Sequence, residues 1–119
     1  MPSVRVSTGD WVRGRERQLV DAVHQGVLMG LKVPDWDRDT ALHLIPEERR
    51  IIPTGCSERF TKIEVLLYTG RTTETKRAYY DATYESLAGL GISKQDVKII
   101  LIEMPPENWG IGGTFPLPA

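Results

Sequence analysis

Apolar and polar residues alternate at the start of the chain. Pro2, Val4 and Val6 fall on one side, and Ser3, Arg5 and Ser7 on the other. A period of two marks a strand with one buried face, because successive side chains leave a strand in opposite directions. The period then changes. From Arg15 to Leu31, the residues Leu19, Val20, Val23, Val27, Leu28 and Leu31 recur at helical spacing, which predicts a helix with one apolar face. Val33-Pro34 ends it, since a residue before proline avoids the α region. Thr40 to Ile45 reads as a second strand, stopped at Pro46, and Lys62 to Tyr68 as a third, rich in Ile, Val and Leu. Thr73 to Gly89 predicts a second helix, with Thr72 as N-cap and Glu74 in the first turn, where the helix dipole favours a carboxylate. Val97 to Glu103 is a fourth strand, ended by Met104-Pro105-Pro106, and the Gly- and Pro-rich stretch after it reads as irregular.

The order β-α-β, linker, β-α-β is that of a repeat. An offset of 59 residues superposes the halves without a gap. Val4 meets Ile63, Val6 meets Val65, Gly30-Leu31 meets Gly89-Leu90, and Pro46 meets Pro105. The apolar face of the first helix maps onto Ala78, Tyr79, Ala82, Ser86, Leu87 and Leu90. The chain therefore reads as one α/β domain over 1–119, with repeat 1 at about 2–46, a linker at about 47–61, repeat 2 at about 62–105 and a tail at 106–119. Each β-α-β unit pairs its strands in parallel through a right-handed crossover. A pseudo-two-fold between the units makes a four-stranded mixed sheet, with strands 1 and 3 antiparallel at its centre and both helices on one face. Two helices leave the other face open, so oligomerisation is expected.

Composition narrows the class. The 119 residues hold 15 Lys+Arg against 16 Asp+Glu, a net charge of -1, without a basic run, which argues against a nucleic-acid partner. No stretch approaches a membrane span, and Met1 to Arg5 has no apolar signal region, so a cytoplasmic protein is expected. Cys56 is the only cysteine, which excludes an intrachain disulfide and a cysteine-based zinc site. Glu47-Glu48-Arg49-Arg50 reads as a solvated turn, and Trp36 as structural.

The assumed topology gathers chemistry at one sheet edge. The start of strand 2 and the ends of strands 3 and 4 all lie near Pro2, bringing Asp37, Arg38, the segment from Tyr68 to Arg71, and the loop from Glu107 to Gly113 to it. Cytosolic processing generally removes Met before Pro, which would free a secondary amine at Pro2. Burial or a nearby cation lowers the pKa of such an amine, so that it acts as a base near neutral pH. It can also attack a carbonyl. A retained Met1 leaves Pro2 as an amide with no base.

Met1-Pro2 before a strand, the doubled β-α-β, Ile63-Glu64-Val65, Gly70-Arg71-Thr72 with Lys76 beyond it, Asp96-Val97, and the run from Glu103 to Gly110 resemble the tautomerase superfamily. The chain looks most like its malonate semialdehyde decarboxylase-like branch. The resemblance implies the 4-oxalocrotonate tautomerase-like fold, a homotrimer, a catalytic amino-terminal proline, a small-molecule carboxylate substrate, and neither metal nor organic cofactor. It implies Pro2 and Asp37 as catalytic residues, with Arg71 and His24 binding substrate; by their place at the sheet edge Trp109 and Arg38 are further substrate-binding candidates, an exposed side chain being the alternative for Arg38. Arg71 suits a carboxylate because a guanidinium donates two parallel hydrogen bonds. Asp37 would assist Pro2, its structural alternative being a cap on the turn before strand 2. His24 lies on the apolar helix face, where a satisfied core histidine is the alternative. Trp109 would wall the pocket or pack against a neighbouring subunit. The decarboxylase pattern carries a second arginine two positions before Arg71, where this chain has Thr69.

The reading that follows is a tautomerase-like enzyme, an isomerase, moving a proton between keto and enol forms of small 2-oxo or unsaturated carboxylates. A 3-oxo acid decarboxylase is the enzymatic alternative. A non-enzymatic trimeric module that binds a ligand or a protein is the alternative of another class.

Overall fold

The computed structural model describes residues 2–113; Met1 and the end of the predicted tail lie outside the described residues. The order of elements is β1 (Ser3–Thr8), α1 (Glu16–Leu31), β2 (Thr40–Leu44), β3 (Thr61–Tyr68), α2 (Thr73–Ala88) and β4 (Val97–Met104), with short 3-10 turns between them. The sheet runs β2-β1-β3-β4. β1 pairs with β2 and β3 with β4 in parallel, while the central β1–β3 pair is antiparallel. Both parallel pairs join residue n to residue n+36, from Val4↔Thr40 and Thr61↔Val97. That shared register is the repeat expressed in hydrogen bonds.

The sheet buries one face. Val4, Val6, Ile63, Val65 and Leu67 point under the helices and are almost fully buried, together with Leu19, Val23, Val27, Leu31, Tyr79 and Leu87 from the helices. Burying each such side chain contributes about 1.5–3 kcal/mol. The opposite face carries Arg5, Glu64, Leu66, Tyr68, Ile100, Ile102 and Met104, by the same registers. Ile100 and Ile102 are 39% and 37% exposed there.

The helix boundaries follow local chemistry. The Thr72 hydroxyl accepts a hydrogen bond from the Thr75 N–H at 3.2 Å, the expected cap of α2. The packing face of α2 is close to the one mapped by the repeat: Tyr79 and Leu87 are buried, Ala82, Ser86 and Leu90 half-buried, and Ala78 exposed, with Thr83 buried as well. It lies against Gly26 and Gly30 on α1, both buried. A Cβ on Gly30 would collide with the Tyr79 backbone, and one on Gly26 with Thr83, so the helices cross closely where α1 has no side chains.

Two further expectations are adjusted. Glu47 to Arg50 is a turn solvated at Glu48 and Arg49 but not at Arg50. The Arg50 side chain is only 10% exposed, pairs with Glu47 at 3.0 Å and donates to the carbonyls of Phe60 and Glu58, both at 2.8 Å. It ties the end of repeat 1 to the residues entering β3. Trp36 is not a structural core residue; it is 75% exposed.

Candidate functional site

Pro2 is buried immediately before the central strand β1. The β1–β3 register, carried one step, puts it beside Leu67, which is in turn paired with Glu103 of β4. On the other side β1 pairs with β2 from Val4↔Thr40, and the Val4 N–H donates to the Asp39 carbonyl at 2.8 Å, so the turn leading into β2 lies at the same edge of the sheet. One charged cluster stands at each end of it.

The first cluster joins α1 to the turn before β2. His24 is buried, and its Nε2 lies 3.1 Å from Asp35 Oδ1. The Arg38 guanidinium donates to the same oxygen at 3.1 Å and to the Asp35 backbone carbonyl at 3.0 Å. Hydrogen bonds from His24 first, and from Arg38 second, hold the Asp35 carboxyl below the ordinary 3.8. A cavity of about 340 Å³ opens here, lined by Arg17, Asp21, His24, Arg38, Asp39 and Thr40.

The second cluster sits where β3 turns into α2. Glu103 accepts from Lys76 Nζ at 2.7 Å and from the Gly70 N–H at 3.4 Å. Lys76 foremost, then Gly70 and the Arg71 charge, hold the Glu103 carboxyl below the ordinary 4.5. A carboxyl depressed in the fold stabilises it fully above its unfolded value, and that stabilisation is lost as pH falls through the folded value. The difference in urea midpoint between the wild type and Glu103→Gln is therefore expected at neutral pH and should shrink as the pH falls through the folded value, which lies below the ordinary 4.5. An equal difference at neutral and acid pH would contradict the pairing. Arg71 is half-buried, and its side chain makes no hydrogen bond or ion pair among the described residues. Its guanidinium is open to an anion beside the first turn of α2.

Trp109 follows the turn Pro106–Asn108 and packs edge-on against Tyr68, the last residue of β3, with ring centroids 5.3 Å apart at 87°. Its indole Nε1 is buried without a partner among the described residues. The Trp109 ring is thereby fixed at the same sheet edge as Arg71.

The six residues singled out from the sequence fall into groups. His24 and Arg38 are joined through Asp35 and the cavity wall, and Arg38 lies two residues before the Thr40 that pairs with Val4. Arg71 and Trp109 stand on the β3 side, and neither lines that cavity; Pro2 and Asp37 do not line it either. Asp37 is half-buried one residue before Arg38; its N–H donates to the Pro34 carbonyl at 2.9 Å, and its carboxylate takes no partner among the described residues. Sequence reasoning missed Asp35 and Glu103. The spacing Asp35-x-x-Arg38 was the signal for one, and the Glu103 position on the helix side of β4, facing Lys76, for the other. Among the described residues, no group of three or more His, Cys, Asp or Glu side chains is gathered as metal ligands would be, and no helix is long and apolar enough to cross a membrane.

Residues 37–112 match the family described as "Tautomerase enzyme". The chain belongs to this tautomerase family. "Probable tautomerase YrdN" of Bacillus subtilis (strain 168) is 31% identical over 94% of this chain and 92% of its own length. "Probable tautomerase RSp0893" of Ralstonia nicotianae (strain ATCC BAA-1114 / GMI1000) is 38% identical over 52 residues, 43% of this chain and 74% of its own. Among solved structures, FG41 malonate semialdehyde decarboxylase inhibited by 3-bromopropiolate superposes with a TM-score of 0.84 and 31% identity, covering 92% of this chain and 88% of that one. Native fused 4-OT superposes with a TM-score of 0.79 at 23% identity, covering 95% of this chain and 94% of that one, a likeness of fold. The four-stranded mixed sheet with paired helices is the fold of these enzymes, as the sequence resemblance implied. Membership of an enzyme family sets aside the non-enzymatic reading.

Proposed function

We propose that the chain, with Met1 removed, uses the Pro2 amine to carry a proton between oxygen and carbon of a small enol or 2-oxo carboxylate. The observation that carries this reading is the burial of Pro2 at a sheet edge where Leu67 and Glu103 follow it towards the Arg71 loop. Burial and nearby cations favour the neutral, basic form of an amine. Arg71 holds the substrate carboxylate or the 2-oxo oxygen, where negative charge develops as the dienolate forms. Trp109 and Leu67 keep water from the amine. Asp37 assists Pro2 by orienting it or a water, and His24 and Arg38 contact the polar end of the substrate.

The protein acts as a homotrimer in the cytoplasm. The open sheet face, with Leu66, Tyr68, Ile100, Ile102 and Met104, supports assembly, and fused 4-OT relatives are described as trimers.

A second reading, decarboxylation of a 3-oxo acid, is favoured by the 31% identity to a malonate semialdehyde decarboxylase and by Asp37. Thr69 stands against it, because that branch carries arginine there. Both are tested in one assay with the purified protein. Ketonisation of phenylenolpyruvate or 2-hydroxymuconate, without carbon dioxide release from malonate semialdehyde, is the expected result. Carbon dioxide release alone would replace the first reading by the second, and turnover of neither type of substrate would defeat both.

A further inference from the structure

The turn from Pro34 to Arg38 carries Asp37 and Arg38 into β2 at the sheet edge where β1 begins, with Asp39 after it tied to Val4, and it has little of its own to hold its shape. Its backbone hydrogen bonds, Asp37 N–H to Pro34 and Arg38 N–H to Trp36, close within the turn. So do both contacts from Arg38 to Asp35. Among the described residues, one hydrogen bond leaves the turn: Asp35 Oδ1 with His24 Nε2 on α1. The two partners differ in setting. The His24 side chain is 11% exposed, wedged on the buried side of α1, while the Asp35 side chain is 67% exposed. A rigid anchor thus meets an exposed carboxylate, and the carboxylate passes the constraint on to the guanidinium.

We propose that Asp35 is a positioning residue of this site, whose carboxylate yokes the His24 imidazole to the Arg38 guanidinium and so fixes the turn that presents Asp37 and Arg38 at the sheet edge where β1 begins. The inference rests on the proposed proton transfer for its kinetic consequence. Its structural part stands alone. An acceptor at Nε2 selects the neutral imidazole tautomer with the proton on that nitrogen. Arg38 binds both the carboxylate and the carbonyl of Asp35, so its planar fork is oriented before any substrate arrives. An ion pair this exposed adds little to global stability. The effect of losing it therefore appears in the geometry of the site rather than in the fold.

The test compares wild type, Asp35→Ala and Asp35→Asn, all with a free Pro2 amine. Asp35→Ala is expected to unfold at nearly the wild-type urea midpoint and to lose on the order of tenfold in kcat/KM on phenylenolpyruvate, the scale of a misplaced contact. Asp35→Asn keeps an acceptor oxygen and is expected to recover part of the loss. The nitrogen-15 signals of His24, read at alkaline pH, supply a second readout that needs no turnover. Wild type should show the proton on Nε2, and Asp35→Ala a shift towards the other tautomer. An unchanged tautomer in Asp35→Ala would overturn the yoke, and so would unchanged kinetics alongside a wild type that turns over. A wild type inactive on every substrate would defeat the proposed activity instead, and the His24 signals would then decide the yoke by themselves.

Discussion

A chain that keeps residues ahead of Pro2 is expected to lose proton transfer by about 10²–10⁴-fold, the usual contribution of a positioned general base. The physical reason is that an acylated proline nitrogen is an amide, whose lone pair is delocalised into the carbonyl and does not accept a proton near neutral pH. Such a form is made by fusing a short tag in front of Met1. Its fold is expected to persist, because β1 is held by backbone pairing to β2 and β3 from Ser3 onward and by the buried Val4 and Val6. Replacing Pro2 by Ala is a milder change, since it leaves a primary amine, and part of the activity is expected to survive. Full turnover in a folded, blocked protein would move the base to Asp37 or His24.

The second large effect is expected at Arg71. Its guanidinium is half-buried and unpaired among the described residues, while the neighbouring Lys76 is already neutralised by Glu103. Among the described residues of this loop, Arg71 is thus the cation without a hydrogen-bonded carboxylate. Removing a charge-assisted hydrogen bond costs about 1.5–3 kcal/mol, roughly ten- to a hundredfold in binding. Arg71→Ala is expected to raise KM for a carboxylated enol by that factor with an unchanged urea midpoint. Arg71→Lys should recover only part, because a lysine keeps the charge and loses the fork. Steady-state kinetics on both variants check this, and unchanged KM in Arg71→Ala would transfer the anion site to Arg38.

The strands and helices were legible because their chemistry is local. Alternation around Val4 and Val6, helical spacing from Leu19 to Leu31, and Thr72 before Thr73 each report on a few neighbouring residues. The repeat then supplied the topology, since two β-α-β units leave few ways to close one sheet, and the topology put Pro2 at an edge with Arg38. What escaped were contacts that side-chain periodicity does not record. Gly26 and Gly30 have no side chain to count, yet they let α2 approach closely, with Thr83 and the Tyr79 backbone against them. Arg50 belongs to a charge run that looks solvated, and only the fold brings the carbonyls of Glu58 and Phe60 to its guanidinium. Asp35 meets His24 across eleven residues and a change of element, and Glu103 meets Lys76 across 27. The residues drawn from the resemblance could be named one by one, whereas the contacts of Asp35 and Glu103 emerged only from the packing of α1 on its turn and of α2 on β4.

The central claim is that the Pro2 amine is free and carries the proton. Intact mass spectrometry before and after incubation with 3-bromopropiolate tests it, with the peptides fragmented to locate any adduct and with tautomerase activity followed in parallel. The expected result is a chain lacking Met1 that gains one adduct, on the Pro2 nitrogen, in step with the loss of activity. A chain that retains Met1 and still turns over, or one inactivated with its Pro2 unmodified, would contradict the account.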